Sequence, residues 1–464
     1  MFRIKASRLP LLILLIFTLI FSFYKLDNFY QLNYDQERDY QVVQKILSGD
    51  LTLIGPQAVS TAGFYLAPWY YYLLVPFFVL FNGHPLYAAY LTGLVHLLTT
   101  LALFLFLKKH TKHELIALAS SLLYASTLHR TAWNVMFIPL LFILFLNLLL
   151  RSRQTLKSFS LLLFLVSLGI HFHFQFVLLV PFLCVYYLLN RPKLPSFKAK
   201  NLVLYFVAVL IPLLPLITFD LRHDFINSRS FLNFFGSALT TSSNLPYLQL
   251  LRFSARNIIR ETSLYTPLPL NLDYIFLPLA YIGSLIVVLR KKRSLLPLAL
   301  FPLISLFALS LYSPPTWPEY YHLLAVLSFI ILVSYLVTSS PHLIKSLYFI
   351  FVLAALVISL QYLHTYTNSD GYDSRQSVIK YILDTSSPLQ PNIRYHFPPG
   401  QGLGFTPIRD YLSTQYDLTD QYSSFQFDVF FTSSPPPALP SPTDQVSFGV
   451  YTVSLSSPPQ HQSN

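Results

Sequence analysis

Along its first 360 residues the chain alternates between long apolar runs and short polar breaks. Runs of roughly 16–22 residues recur, and at about 1.5 Å per residue they match a hydrocarbon core of about 30 Å. Eleven spans are predicted: 9–24, 86–107, 114–128, 135–150, 158–171, 174–190, 201–219, 274–289, 295–312, 321–338 and 343–362. One more run, 64–82 (FYLAPWYYYLLVPFFVLFN), is apolar enough to cross, but Pro68 and Pro76 interrupt it and Trp69 to Tyr72 suit the interface. It reads as a juxtamembrane or re-entrant element. No small-residue cleavage site follows Tyr24, so the first run is expected to remain as a span.

From about residue 363 the pattern becomes polar and mixed. Ser374 to Leu383 is predicted as a helix, and Asn392 to Phe397, Phe425 to Phe431 and Val446 to Leu455 as strands. The fold class is therefore an all-α polytopic membrane protein, about eleven transmembrane helices plus juxtamembrane helices, with a small extracytoplasmic α/β C-terminal domain. Residues 1–362 form the membrane domain and 363–464 the tail; long outer loops are expected at 25–85 and 220–273.

Charge fixes the orientation. Only 11% of the 464 residues are charged, against about 25% in soluble domains. Alternate connections carry 18 of the 31 basic residues and one acid, Glu114; the other connections carry 18 of the 19 acids. Short loops rich in Lys and Arg stay in the cytoplasm, so the N-terminus is predicted inside and the long loops and tail outside the plasma membrane. The net charge of +12 is thus a topology signal, and no nucleic-acid partner is implied. The single cysteine, Cys184, lies in an apolar run and leaves the outer parts without disulfides. The spans hold almost no ionisable residue besides His96, which argues against an ion-coupled transporter.

Chemistry is expected at the outer edge of the bilayer. Asn33-Tyr-Asp-Gln-Glu-Arg-Asp-Tyr40 follows the first span. On a helix Asp35 and Asp39 share a face with Arg38 near both. A carboxylate there could act as general base for a hydroxyl nucleophile, and Asp35 with Glu37 could hold a divalent metal ion through oxygen ligands. A solvated acidic loop has the same composition. Arg130 and Asn134 fall one turn apart in the next outer turn, a pattern that a helix cap with a snorkelling Arg also gives. His171 and His173 could point into a cavity or satisfy freed backbone groups. Arg252, Arg256 and Arg260 recur at four-residue steps on an amphipathic stretch, suited to a lipid-linked phosphate or to anionic headgroups. Glu319 and His322 enter a late span from outside, as cavity groups or interface anchors.

The order of these segments resembles the GT-C superfamily of membrane glycosyltransferases, near the protein O-mannosyltransferase and aminoarabinose-transferase group. The resemblance covers roughly residues 9–360. Asp35 and Arg38 match the family's first-loop motif, with Gln36 where relatives have a second acid. Leu51-Thr-Leu-Ile-Gly-Pro56 and Gly63-Phe-Tyr-Leu-Ala-Pro-Trp-Tyr-Tyr-Tyr72 are similar to its interfacial segment. Some relatives carry a phosphate-binding lysine where Leu66 or Ala67 stands here, so that role must move elsewhere. Arg130 with Asn134, His171-Phe-His173 and Phe219-Asp-Leu-Arg-His223, which contains Arg222, resemble later loop signatures.

The resemblance implies a polyprenyl-phosphate sugar donor in the outer leaflet and an acceptor hydroxyl on a glycan, lipid or protein. Asp35 would be the base and Arg38 the group facing the departing phosphate, with Arg130 or the Arg252/Arg256/Arg260 stripe assisting. A lipid-linked-sugar flippase and a polysaccharide ligase or polymerase are the alternatives. The first needs no base; the second uses a lipid diphosphate carrying a long glycan.

Overall fold

A computed structural model describes residues 9–58, 63–127, 131–151, 153–190, 195, 198–240, 246–310, 319–397, 404–431 and 444–456. Each of the eleven predicted spans is helical: α1 (Leu9–Phe23), α5 (Tyr87–Thr111), α6 (Glu114–Ala125), α7 (Ile138–Leu149), α8 (Leu156–Phe172), α9 (Leu179–Asn190), α10 (Ala199–Arg222), α13 (Leu270–Lys291), α14 (Leu296–Ser310), α15 (Leu323–Thr338) and α16 (His342–Thr365). Short 3-10 turns lead into α7, α9, α14 and α15. Among the described residues, six helical stretches are long and apolar enough to cross a membrane unaided; the others are apolar helices of 10–17 residues. The chain is a multi-pass membrane protein.

Five further helices lie between the spans, four in polar breaks and α4 in the apolar run 64–82. They are α2 (Leu26–Phe29), α3 (Tyr34–Leu47), α4 (Trp69–Leu80), α11 (Ile226–Thr240) and α12 (Tyr247–Ser263). Helix α4 has 12 residues. That length gives about 18 Å, short of a hydrocarbon core. Within the bundle, hydroxyls join helices where side chains are small. Ser334 Oγ donates to Ser120 Oγ at 2.8 Å, and Ser120 lies 2.8 Å from the Tyr348 hydroxyl. Each such bond between membrane helices contributes about 0.6 kcal/mol. His96 sits 3.0 Å from Ser22 Oγ, which ties α5 to α1.

The tail folds as α17 (Tyr372–Ser386), β1 (Gln390–His396), α18 (Thr406–Ser413), β2 (Tyr422–Phe431), β3 (Asp444–Phe448) and β4 (Tyr451–Ser456). The sheet order is β1-β2-β4-β3, with β1 parallel to β2 and the other pairs antiparallel. Ile393 pairs with Phe427 and Val429 with Val453. Phe427, Val429 and Val453 are buried, as are Ile379, Ile382 and Leu383 of α17. The single strand predicted over Val446–Leu455 is instead a hairpin. Gly449 takes φ +59, and a left-handed residue there lets the chain reverse. Tyr372 N donates to the Tyr30 carbonyl at 3.0 Å, so the tail is bonded to the segment that follows α1.

Candidate active site

Helix α3 starts at a capping box. Asn33 accepts from the Asp35 backbone at 3.1 Å, and the Gln36 side chain accepts from Asn33 N at 3.1 Å. Gln36 also donates to the Ala132 carbonyl at 2.9 Å, which pins the helix start to the turn before α7. This fixed start sets the direction of the three residues that follow.

Arg38 lies between two carboxylates. Its Nη1 donates to Asp35 Oδ1 at 2.8 Å, and its Nη2 and Nε both donate to Asp39 Oδ1, at 2.6 and 3.0 Å. The guanidinium stands 6.0 Å from the Tyr71 ring centre. Exposure separates the two acids: the Asp35 side chain is 39% exposed and that of Asp39 only 3%. Asp35 Oδ2 has no hydrogen-bond partner among the described residues, so Asp35 can meet an incoming group while Asp39 holds the arginine from behind. Burial pushes the Asp39 carboxyl up to about 7, with Arg38 offsetting only part of the effect. Burial works against the charge of Arg38, but Asp39, Tyr71 and Asp35 outweigh it and its pKa is raised.

Glu37 points the other way. Gly404 N and Thr406 Oγ1 both donate to its carboxylate, the latter at 2.7 Å. The tail therefore grips α3 one residue before Arg38. Gly404 has φ +102, and a Cβ there would lie 2.3 Å from the Leu32 carbonyl, so this contact requires glycine. Asp35 and Glu37, expected as a pair on one divalent cation, turn to different partners here. Two apart on a helix, the carboxylates diverge, and both oxygens of Glu37 are occupied by the tail. Among the described residues no group of three or more His, Cys, Asp or Glu could hold a metal ion.

The remaining predicted residues scatter. Arg130 lies outside the described residues. Asn134 donates through Nδ2 to the Phe172 carbonyl, joining the two turns. His171 accepts from Ala67 N at 3.3 Å and so anchors the segment before α4. His173 accepts from Gln175 N at 3.3 Å and packs on Tyr320 and Tyr321; burial pushes its pKa down to about 3, so it is neutral. His322 is buried at the entry to α15. Glu319 opens the same turn, its side chain outside the description. Arg222 ends α10 at the surface, and Arg252, Arg256 and Arg260 lie on the exposed face of α12. None of these four arginines lines the two cavities described next.

An apolar cavity of about 620 Å³ lies between α8, α9 and α10, lined by residues such as Leu163, Val166, Leu183, Leu213 and Ile217. A polar cavity of about 370 Å³ lies over α3, lined by Tyr34, Arg38, Lys45, Asp50, Gln57 and Tyr71 among others. Tyr65 lines both. Its position is held by a relay. Asp220 Oδ1 and Oδ2 accept from Asn227 N and Ser228 N at 2.8 and 3.1 Å, which caps α11. The Asn227 side chain accepts from Tyr65 N at 2.7 Å and donates to Tyr65 O at 3.2 Å. Sequence reasoning singled out the Asp220 segment but missed Tyr65, Lys45 and Asp50. The seven-residue spacing from Arg38 to Lys45 was the available signal for one of them.

No family model matches the sequence, and no curated protein matches it. Solved structures do match in shape. The crystal structure of ArnT from Cupriavidus metallidurans bound to undecaprenyl phosphate superposes with a TM-score of 0.60, covering 97% of this chain and 98% of that one at 11% identity. The chain has the fold of ArnT. The apo structure of the same protein agrees, with a TM-score of 0.59 at 12% identity and the same coverage. At such identity the ArnT likeness speaks for architecture, and the resemblance drawn from the motif order holds at that level.

Proposed function

We propose that the chain transfers a sugar from a polyprenyl-phosphate donor to an acceptor hydroxyl on the extracytoplasmic side. The observation that carries this reading is Tyr65, which walls both an apolar cavity in the bundle and a polar one lined by Arg38. A lipid-linked sugar has that division, a hydrocarbon tail and a charged, hydroxylated head. The ArnT structure that shares the fold holds undecaprenyl phosphate, which supports the same ligand class here.

In the reaction, Asp35 Oδ2 takes the proton of the acceptor hydroxyl as its oxygen attacks the anomeric carbon. The bond from that carbon to the phosphate oxygen breaks, and the electron pair leaves with the phosphate. Arg38, already oriented by Asp39, faces the charge that develops there. The sugar passes through an oxocarbenium-like state and inverts, because one displacement occurs.

The test is transfer from synthetic polyprenyl-phosphate sugars in proteoliposomes, wild type against Asp35→Asn. Product from wild type, lost in the variant with donor still bound, is the expected result. Donor binding has its own reporter. Cys184 is the single cysteine, is exposed and lines the apolar cavity, so a bound polyprenyl chain should slow its alkylation. Translocation of the lipid without product, equal in both proteins, would put the flippase in front.

A further inference from the structure

The polar cavity has two ends. At one end Arg38 lies with its carboxylates and Tyr71. The other end is framed by Lys45 and Asp50. Tyr34, Arg38 and Lys45 repeat at steps of four and seven residues, so they share one face of α3. Arg38 and Lys45 are about 10 Å apart along that face, given about 1.5 Å per residue. After α3 ends, Gly49 takes φ +95 and Asp50 N donates to the Lys45 carbonyl at 2.9 Å. This turn brings an ammonium and a carboxylate to the same cavity wall. Yet the two side chains make no ion pair with each other, and neither pairs with any other charge among the described residues.

We infer that Lys45 and Asp50 form a subsite that reads the hydroxyls of the transferred sugar remote from its anomeric carbon. The inference rests on the donor reading above. Its chemistry is that of a mixed pair. The Lys45 ammonium can only donate and the Asp50 carboxylate can only accept, while adjacent sugar hydroxyls do both. A second phosphate at this end would gain one contact and be repelled by the other, which selects a neutral sugar head. The cavity of about 370 Å³ is at the small end of ligand sites, which suits one sugar and one phosphate in line. Because both side chains are exposed in the free protein, they remain solvated until the sugar replaces water between them.

The experiment measures donor KM, kcat and selectivity in proteoliposomes for wild type, Lys45→Met and Asp50→Asn. Each donor is paired with an analogue that lacks one hydroxyl remote from the anomeric carbon. Wild type should prefer the parent. Each variant should raise donor KM by about tenfold, the loss expected for a hydrogen bond to a charged group, with kcat within about twofold. The preference for the parent should shrink with it. That ratio is taken within one preparation, so partial misfolding does not move it. Wild-type transfer with unchanged KM and unchanged selectivity in both variants overturns the subsite and leaves the donor reading standing. No transfer by wild type from any donor overturns both.

Discussion

The two long segments that follow α1 and α10 both carry arginines, and they treat them in opposite ways. In the first, Arg38 is held by Asp35 and Asp39 and faces a cavity. In the second, Arg252 and Arg256 stand exposed on α12 while the acids and amides of that helix, Glu261 and Asn257, turn inward. A buried or half-buried charge with fixed partners is oriented before a ligand arrives, which is the property that stabilises developing charge. An exposed stripe on an amphipathic helix keeps its water and meets lipid headgroups loosely. The contrast separates a preorganised charge, at the proposed reacting centre, from a solvated surface stripe.

The sharpest way to break that contrast is to remove the base. Asp35→Asn should lower transfer by about 10²–10⁴-fold in kcat, the usual worth of a general base, with donor KM little changed. Arg38→Gln should cost about 10²–10³-fold in kcat, because a preorganised donor to the leaving group is lost. Full activity in either variant would move the chemistry to another segment.

The grip of the tail comes next in size. Gly404→Ala must strain a left-handed backbone against the Leu32 carbonyl. A loss of about 1–3 kcal/mol of stability is expected, read as a lower melting temperature together with reduced transfer. Thr406→Val, which removes one hydrogen bond to Glu37, should cost about 1 kcal/mol.

Asp39 gives a pH test. In the folded protein its carboxyl keeps a proton up to about pH 7, whereas an unfolded chain loses it near pH 4. The folded state binds more protons in that window, so the stability owed to this group is present at low pH and lost as pH rises to about 7. The wild-type melting temperature should fall relative to Asp39→Asn across this window and run parallel above it. Parallel curves throughout would mean Asp39 titrates as an ordinary carboxylate. The smallest effect belongs to the second segment. Arg252→Gln with Arg256→Gln should change transfer in neutral-lipid vesicles by less than about threefold, as expected of solvated surface charges.

The spans were legible because apolar runs bounded by Lys and Arg leave few alternatives. The start of α4 at Pro68 was legible for the same local reason, but Pro76 was misread as a break: it lies inside α4, which continues through it to Leu80. Arg38 with its carboxylates was readable too, since its partners lie one and three residues away. The contact of Glu37 with the tail was not legible, because its partners are Gly404 and Thr406 and no local pattern links them. Tyr65, Lys45 and Asp50 were missed because a cavity wall is assembled by tertiary packing. The Val446–Leu455 strand was misread because alternation continues through Gly449 while the backbone reverses.

The bond from Thr406 to Glu37 joins residues 369 apart, and this has a consequence for biogenesis. At about 5–20 residues per second, a ribosome that has just released α3 needs roughly 20–75 s more before residue 406 exists. During that interval the helix with Asp35 and Arg38 stands at the membrane without its clasp. A chain cut short before Gly404 would insert its spans and still lack the contact that seats its reacting helix. A segment made late thus fixes one made early.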